Sequence, residues 1–253
     1  MTAFCKTDNA AFARLHQKGD PLILFNIWDA GSAVAVADAG AKAIATGSLS
    51  LAASQGFADG EGIPFDDLLN TVRQIRAVVD LPLTVDFETG FAISAQGVRT
   101  NAEALDGAGA VGCNIEDRLL GDDGLRIVEE QADRISAAVA GGLFVNARTD
   151  IFLSELMQGK DPNRSELVDE AIVRGNAYAD AGAGCFFVPG LSDPDMIATI
   201  CSALSVPVNV MRLPDMVPNT ELRKLGVARI SYGPAPWREA MEAVTQSARS
   251  AFA

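Results

Sequence analysis

Short β-branched or aromatic runs alternate along this chain with longer stretches whose apolar residues recur every three to four positions. Eight runs have strand character: LILFNIW at 22–28, KAIATG at 42–47, PLTVDFE at 82–88, GCNIED at 112–117, LFVNART at 143–149, CFFVPG at 185–190, PVNVM at 207–211 and RISYG at 229–233. The stretches between them are helix-patterned. In FDDLLNTVRQIRAVVD, Leu68, Leu69, Val72, Ile75 and Val79 fall at helical spacing. Glycine-bearing turns precede several strands, as in DAGAKAI, DGAGAVGC and DAGAGCF. Eight strands, seven intervening helices and a closing helix over 236–250 predict one (β/α)8 TIM barrel spanning residues 1–253. The rival is an open doubly wound sheet, which would place a glycine-rich nucleotide loop after the first strand; WDAGSAVA is not one.

Residues two apart in a strand face the same side. Several runs end with polar or bulky pairs at that spacing: Asn26 and Trp28, Asp86 and Glu88, Asn114 and Glu116, Asn146 and Arg148, Asn209 and Met211. The C-terminal strand ends are where barrel enzymes place their chemistry. Asp86, Glu88 and Glu116 against Arg148 leave surplus negative charge, which is costly to bury and which a divalent cation would neutralise. Oxygen ligands without histidine favour Mg2+ or Mn2+ over zinc. The same four residues also read as a structural ion-pair network. Asp59, in SQGFADGEG, is either a further carboxylate of the site or a solvated loop acid. Asn26, Asn114, Asn146 and Asn209 read first as hydrogen-bonding struts, with Asn209 also a candidate substrate contact. Trp28 is core or pocket wall. The GSLS turn at 47–50 follows the second strand directly, and its successive N–H groups suit an anion-binding nest at Gly47 and Ser48.

Composition narrows the classes. A net charge of −13 argues against a nucleic-acid surface. Cys113 and Cys185 lie in apolar runs and no C-x-x-C occurs, so structural thiols are expected rather than disulfides or zinc. Cys5 and Cys201 are isolated. His16, the single histidine, is expected at the surface of an amphipathic N-terminal stretch. No serine–histidine or cysteine–histidine pair suggests nucleophilic catalysis. MTAFCKTDNAAFARLH lacks a signal-peptide core, and no run approaches the length of a membrane span, so a cytoplasmic location is expected.

TGSLSLAASQGFADG, VDFETGF, NIEDR, NARTDIF and NVM…LGVARISYG, in this order, resemble the isocitrate lyase / phosphoenolpyruvate mutase superfamily, over most of the chain. The resemblance implies a barrel binding Mg2+ (or Mn2+) at Asp86, Glu88 and Glu116. Asp86 would be the nearest ligand, with Glu88, Glu116 and Asp59 holding metal-bound waters. It further implies that the amides of Gly47 and Ser48 receive the substrate carboxylate and that Arg148 contacts the substrate's anionic groups. Arg148, Asp59 and Glu116 are the candidate catalytic residues; Trp28, Gly47, Ser48, Asp86, Arg148 and Asn209 are the candidate substrate contacts. A homodimer or homotetramer is implied, its last helix exchanged between subunits.

The departures from the superfamily pattern shape the functional expectation. Its lyases carry a K-K-C-G-H segment after the fourth strand; here the stretch is DRLLGDDGLRIVEEQ. The mutase and hydrolase K-T-N-S loop is missing, and the mutase histidine after the sixth strand is replaced around Val188 and Pro189. The expectation is a Mg2+-dependent lyase or decarboxylase. It would act on a small 2-oxo or 2-hydroxy di- or tricarboxylic acid, oxaloacetate or isocitrate-like, through a metal-stabilised enolate. Decarboxylation can take its final proton from water. The alternatives are weak C–C cleavage using Arg126, Asp122 or Asp123, C–P chemistry, or a 2-oxo acid binding protein without catalysis.

Overall fold

The computed structural model describes residues 9–121 and 124–253. All eight expected strands form: β1 (Leu22–Leu24), β2 (Ile44–Ala45), β3 (Leu83–Asp86), β4 (Gly112–Glu116), β5 (Phe144–Arg148), β6 (Cys185–Val188), β7 (Val208–Met211) and β8 (Arg229–Ser231). They pair in parallel in the order β1-β8-β7-β6-β5-β4-β3-β2. A parallel bridge between Ile27 and Thr46 joins the ends of the sheet, with the Ile27 N–H donating to the Ala45 carbonyl at 2.8 Å. The result is a (β/α)8 barrel.

Some strands stop short of the polar residues that end their runs: β1 ends before Asn26 and β3 before Glu88. β3 stops at Asp86, and Glu88, expected within the strand, has φ +48. Glu88 therefore does not simply repeat the pleat of Asp86. Gly90 follows at φ +103, where an added Cβ would meet Val98 Cγ2 at 2.8 Å, so this turn needs glycine on both counts.

The crossovers are α2 (Ala30–Asp38), α4 (Phe65–Arg76), α5 (Ala95–Ala108), α6 (Val128–Ala140), α8 (Ser165–Asp180), α9 (Pro194–Ala203) and α10 (Asn219–Lys224), with α11 (Ala235–Phe252) last. Capping starts several of them. Asp29 accepts from the Ser32 N–H at 2.7 Å, Ser94 from Gly97 at 3.2 Å and Asp193 from Met196 at 2.9 Å. The periodicity read in α4 is the buried one: Leu68, Leu69, Val72 and Ile75 face the barrel. Three short helices go beyond the sequence reading: α1 (Asn9–Ala13), α3 (Ser48–Ser54) and α7 (Ile151–Met157). The last two follow β2 and β5 directly and frame the C-terminal mouth.

The barrel interior is layered. Phe12, Leu22, Leu24, Ala43, Ala45 and Val111 form a separate apolar cluster at the N-terminal strand ends. His16 belongs with this plug, which corrects its expected surface position. It is 4 % exposed, its ring lies 4.7 Å from that of Phe144, and its Nδ1 meets the Phe12 carbonyl at 3.1 Å. Burial, then the nearby Arg229 charge, lowers its pKa to about 3, so it stays neutral. The hydrophobic residues around it reward burial of the ring more than exposure of its nitrogens.

Above the plug lies a polar layer. Arg229, fully buried, donates from Nη2 to Asn114 Oδ1 at 3.0 Å and from Nε to Ser231 Oγ at 3.3 Å. Asn146 Nδ2 donates to the same Asn114 oxygen at 2.8 Å. Burial draws the Arg229 pKa down to about 10, far short of discharging it at neutral pH. Cys113, Cys185 and Cys201 are free and buried, as structural thiols would be; Cys5 lies outside the described residues. No helix among the described residues is long and apolar enough to cross a membrane.

Candidate active site at the C-terminal mouth

A cavity of about 320 Å³ opens at the C-terminal ends of the strands. Asp59, Asp86, Arg118 and Arg148 line one side of it, and Gly47, Ser48, Asn26 and Asn114 also reach its wall. Asp86 is the carboxylate that the fold fixes most directly on this surface. Its Oδ2 accepts the Ser48 N–H at 3.0 Å, and its Oδ1 lies 3.4 Å from Asn114 Nδ2. Two donors on Asn114 Oδ1, from Arg229 and Asn146, decide which end of that amide faces Asp86. The strut role expected for the asparagines thus acquires a direction.

The GSLS segment is the start of α3. Its Ser48 N–H is engaged with Asp86 and its Gly47 N–H with the Ile27 carbonyl at 3.3 Å, so both backbone donors have partners inside the protein. Asn209 is fully buried beneath the cavity, bonded to Ser231 at 3.1 Å, and Ser231 rather than Asn209 lines the cavity. Trp28 lines a separate depression with Asp29, Gln55 and Asn70.

Arg148 sits at the end of β5 between two carboxylates. Its Nη1 meets Glu116 Oε2 at 2.9 Å; Nε and Nη2 hold Asp150 bidentately at 2.5 and 2.8 Å. Asp150 was not singled out in the sequence, although it stands two residues beyond Arg148, the spacing already informative elsewhere. Burial works against the Arg148 charge, but Asp150, Glu116 and Asp86 outweigh it and hold the guanidinium firmly protonated. Two hydrogen bonds to Asp150 and the ion pair with Glu116 anchor a side chain that still borders the cavity. Glu116 is 3 % exposed, and burial raises its pKa despite Arg148. Arg118 approaches its other oxygen at 3.7 Å.

Glu88 is also buried and is held by a residue the sequence reading passed over. The Glu61 N–H donates to Glu88 Oε2 at 2.6 Å, while Glu61 Oε1 accepts from the Thr89 N–H at 3.1 Å, the Thr89 hydroxyl at 2.6 Å and the Phe91 N–H at 2.8 Å. Arg134 ties the same loop down through the carbonyls of Thr89, Ala92 and Ile93. ADGEG and VDFETGF are therefore one unit in space. Burial, then the charges of Asp86, Asp59 and Glu61, raises Glu88 to about 8.

The acids of this region outnumber its arginines, and their repulsion adds to the burial that already raises Glu88. That excess suits a divalent cation. Among the described residues no three acidic, cysteine or histidine side chains converge as a ready ligand cluster. Of the three expected metal ligands Asp86 lines the cavity, with Asp59 beside it, while Glu88 and Glu116 are not part of the lining. The loop after β4 folds back at once: Arg118 bridges to Leu125, and the Arg126 N–H returns to the Asp117 carbonyl at 2.7 Å. Arg126 pairs with Glu130 at 2.6 Å and does not line the cavity; Asp122 and Asp123 lie outside the described residues.

A parallel barrel with charged residues gathered at its C-terminal mouth defines a (β/α)8-barrel enzyme architecture. The family model for phosphoenolpyruvate phosphomutase matches residues 12–252, and the chain belongs to that family. It is 32% identical to 2-methylisocitrate lyase of Escherichia coli over 206 residues, covering 78% of this chain and 67% of the lyase. It is 30% identical to oxaloacetate decarboxylase of Pseudomonas entomophila over 246 residues, covering 92% and 81%. A candidate phosphonomutase from Burkholderia cenocepacia J2315 superposes with a TM-score of 0.91 at 42% identity, covering 96% of this chain and 98% of that one. Phosphonopyruvate hydrolase, in a complex with oxalate and Mg2+, superposes at 0.81 with 25% identity, covering 95% and 85%. The relatives are lyases, decarboxylases and mutases, and this chain is an enzyme of that group.

Proposed function

We propose that this protein is a Mg2+- or Mn2+-dependent lyase or decarboxylase of a small 2-oxo or 2-hydroxy di- or tricarboxylic acid, oxaloacetate or an isocitrate-like acid among them. The observation that carries the reading is the Asp86 carboxylate, fixed by Ser48 and Asn114 on the cavity wall beside Asp59 and Arg148. The relatives named as 2-methylisocitrate lyase and oxaloacetate decarboxylase, and the Mg2+ and oxalate bound by phosphonopyruvate hydrolase, point the same way. When bound, the divalent cation would supply Lewis-acid stabilisation for charge developing on the 2-oxo oxygen.

The chain's own residues supply the rest. Arg148, which borders the cavity, orients a substrate carboxylate while Glu116 and Asp150 keep its plane fixed. Asp86 is aimed by its donors, so the charge it presents needs little reorganisation. The stretch after β4 carries no cysteine or histidine, which suits a reaction whose last proton comes from solvent. The β6 side of the cavity carries Phe187 and Pro189, which offer a phosphoryl group no charge, and this supports carbon–carbon over carbon–phosphorus chemistry.

Oxaloacetate, isocitrate, 2-methylisocitrate and phosphonopyruvate, each assayed with and without Mg2+, separate the possibilities. Metal-dependent loss of oxaloacetate or cleavage of an isocitrate is the expected result. No turnover of any of the four would refute the reading.

A further inference from the structure

Three arginines line the cavity, and each is held differently. Arg148 is clamped between Glu116 and Asp150. Arg238, in the first turn of α11, is exposed to solvent. Arg118 lies between these cases, with 28% of its side chain exposed. Among the described residues its guanidinium donates no hydrogen bond, and its one ion pair, from Nε to Glu116 Oε1, is long at 3.7 Å.

The fold fixes where this side chain goes. Arg118 stands two residues beyond Glu116, the end of β4, and an antiparallel bridge to Leu125 holds its backbone. Its guanidinium reaches the β2–β3 connection, where a Cβ added at Gly60 would come within 3.1 Å of Nη2. Glu116 stands between two cations and gives Arg148 the closer contact, 2.9 Å from Nη1 to Oε2. Arg118 therefore keeps a charge that the protein compensates only in part, on a side chain bordering the cavity. A counter-ion serving Glu116 alone would close to hydrogen-bond distance, as Arg148 does. A guanidinium held back from that distance is suited to take a planar anion from the cavity.

We propose that Arg118 is a specificity-determining residue: it receives the second carboxylate of an acid whose first carboxylate and 2-oxo or 2-hydroxy group occupy the Asp86 and Arg148 side of the cavity. Both guanidinium groups lie against one carboxylate, Glu116, so a short carbon chain spans them. A monocarboxylic acid would leave Arg118 unused. This rests on the 2-oxo acid reading of the site.

Calorimetric titration at fixed free Mg2+ tests it with acids of equal chain length, 2-oxoglutarate against 2-oxopentanoate and malate against 2-hydroxybutanoate. Oxalate, too short to reach Arg118, reports on the metal side alone. In at least one pair the diacid should bind about tenfold tighter, equivalent to about 1.4 kcal/mol. Added salt should narrow that gap, because the guanidinium is part-exposed. Arg118→Met should cut the preference to about twofold or less while moving oxalate far less, and Arg118→Lys should retain part of it through its charge. Arg238→Met should leave the preference in place. Thermal melts verify folding; if Arg118→Met does not fold, the lysine variant and the salt dependence decide. Absence of a diacid preference in both pairs, a preference that Arg118→Met or added salt leaves intact, or one that Arg238→Met removes, each with metal-dependent oxalate binding retained, would overturn the role of Arg118 alone. Failure of oxalate to bind with metal would overturn the 2-oxo acid reading and this role with it.

Discussion

Arg148→Lys separates what the charge of this residue does from what its shape does. The guanidinium spans two buried carboxylates, with one contact to Glu116 and two to Asp150. A lysine ammonium keeps the charge but is a single point and cannot grip Asp150 bidentately while reaching Glu116. At least two of the three contacts should go. Net contributions of about 1.5–3 kcal/mol per hydrogen bond to a charged group, reduced by the attraction that remains and by side-chain relaxation, give a loss of roughly 2–4 kcal/mol. For a chain of this size each kcal/mol shifts Tm by about 2–4 °C, so a drop on the order of 4–16 °C is expected.

Urea and thermal unfolding of the metal-free protein measure that stability loss without substrate. Metal-dependent oxalate titration of the same variant then measures any further loss in grip. A buried charge-paired contact to substrate would add about 2–5 kcal/mol to the binding deficit. Wild-type stability in the lysine variant would show that the fork to Glu116 and Asp150 contributes little. Wild-type activity as well would remove Arg148 from substrate recognition.

Asp86→Ala should abolish stabilisation by Mg2+ in a thermal melt, and an unchanged metal response would remove Asp86 from the metal site. Glu88 titrates near 8 when folded against an ordinary value of 4.5, so the stability it contributes is complete below about 4.5 and is lost as pH rises towards 8. Because a cation needs the ionised form, the Mg2+-induced rise in Tm should grow from pH 6 to 8.5 and lose that slope in Glu88→Gln; a flat profile in the wild type would refute the assignment. The last helix leaves Met241 38%, Val244 61% and Phe252 88% exposed on one stripe, which suits a second copy of the chain. A homodimer or homotetramer is expected by light scattering, with Val244→Glu shifting the mass downward; an unaltered mass would exclude this face from the interface.

The barrel was legible because each strand is a short apolar run framed by turns, and because its closing layers bury nearly continuous hydrophobic sequence. α3 and α7 escaped notice for a physical reason. Each has only seven residues, directly follows a strand, and takes its helical form from its place at the mouth more than from an apolar period. His16 was misplaced because one turn of helix with Phe12 and Leu15 looks the same whether its polar neighbours face solvent or the ring faces a plug.

At the site, strand-end spacing found the residues that strands position and missed those that loops position. Asp86, Glu116 and Arg148 end adjacent strands, so their convergence follows from the pleat and the parallel register. Glu61 and Glu88 meet only because both loops turn through positive φ, +57 and +48, a conformation that a glutamate's sequence context does not announce. The reciprocity of the clasp resolves the difficulty. The Glu61 N–H holds the Glu88 carboxylate, while the Glu61 carboxylate holds the residue after Glu88, so neither loop keeps its shape without the other. An acid that sequence spacing assigns to the β3 strand end is thus positioned by the β2–β3 connection. That is why a carboxylate count predicts the charge of this site better than its geometry.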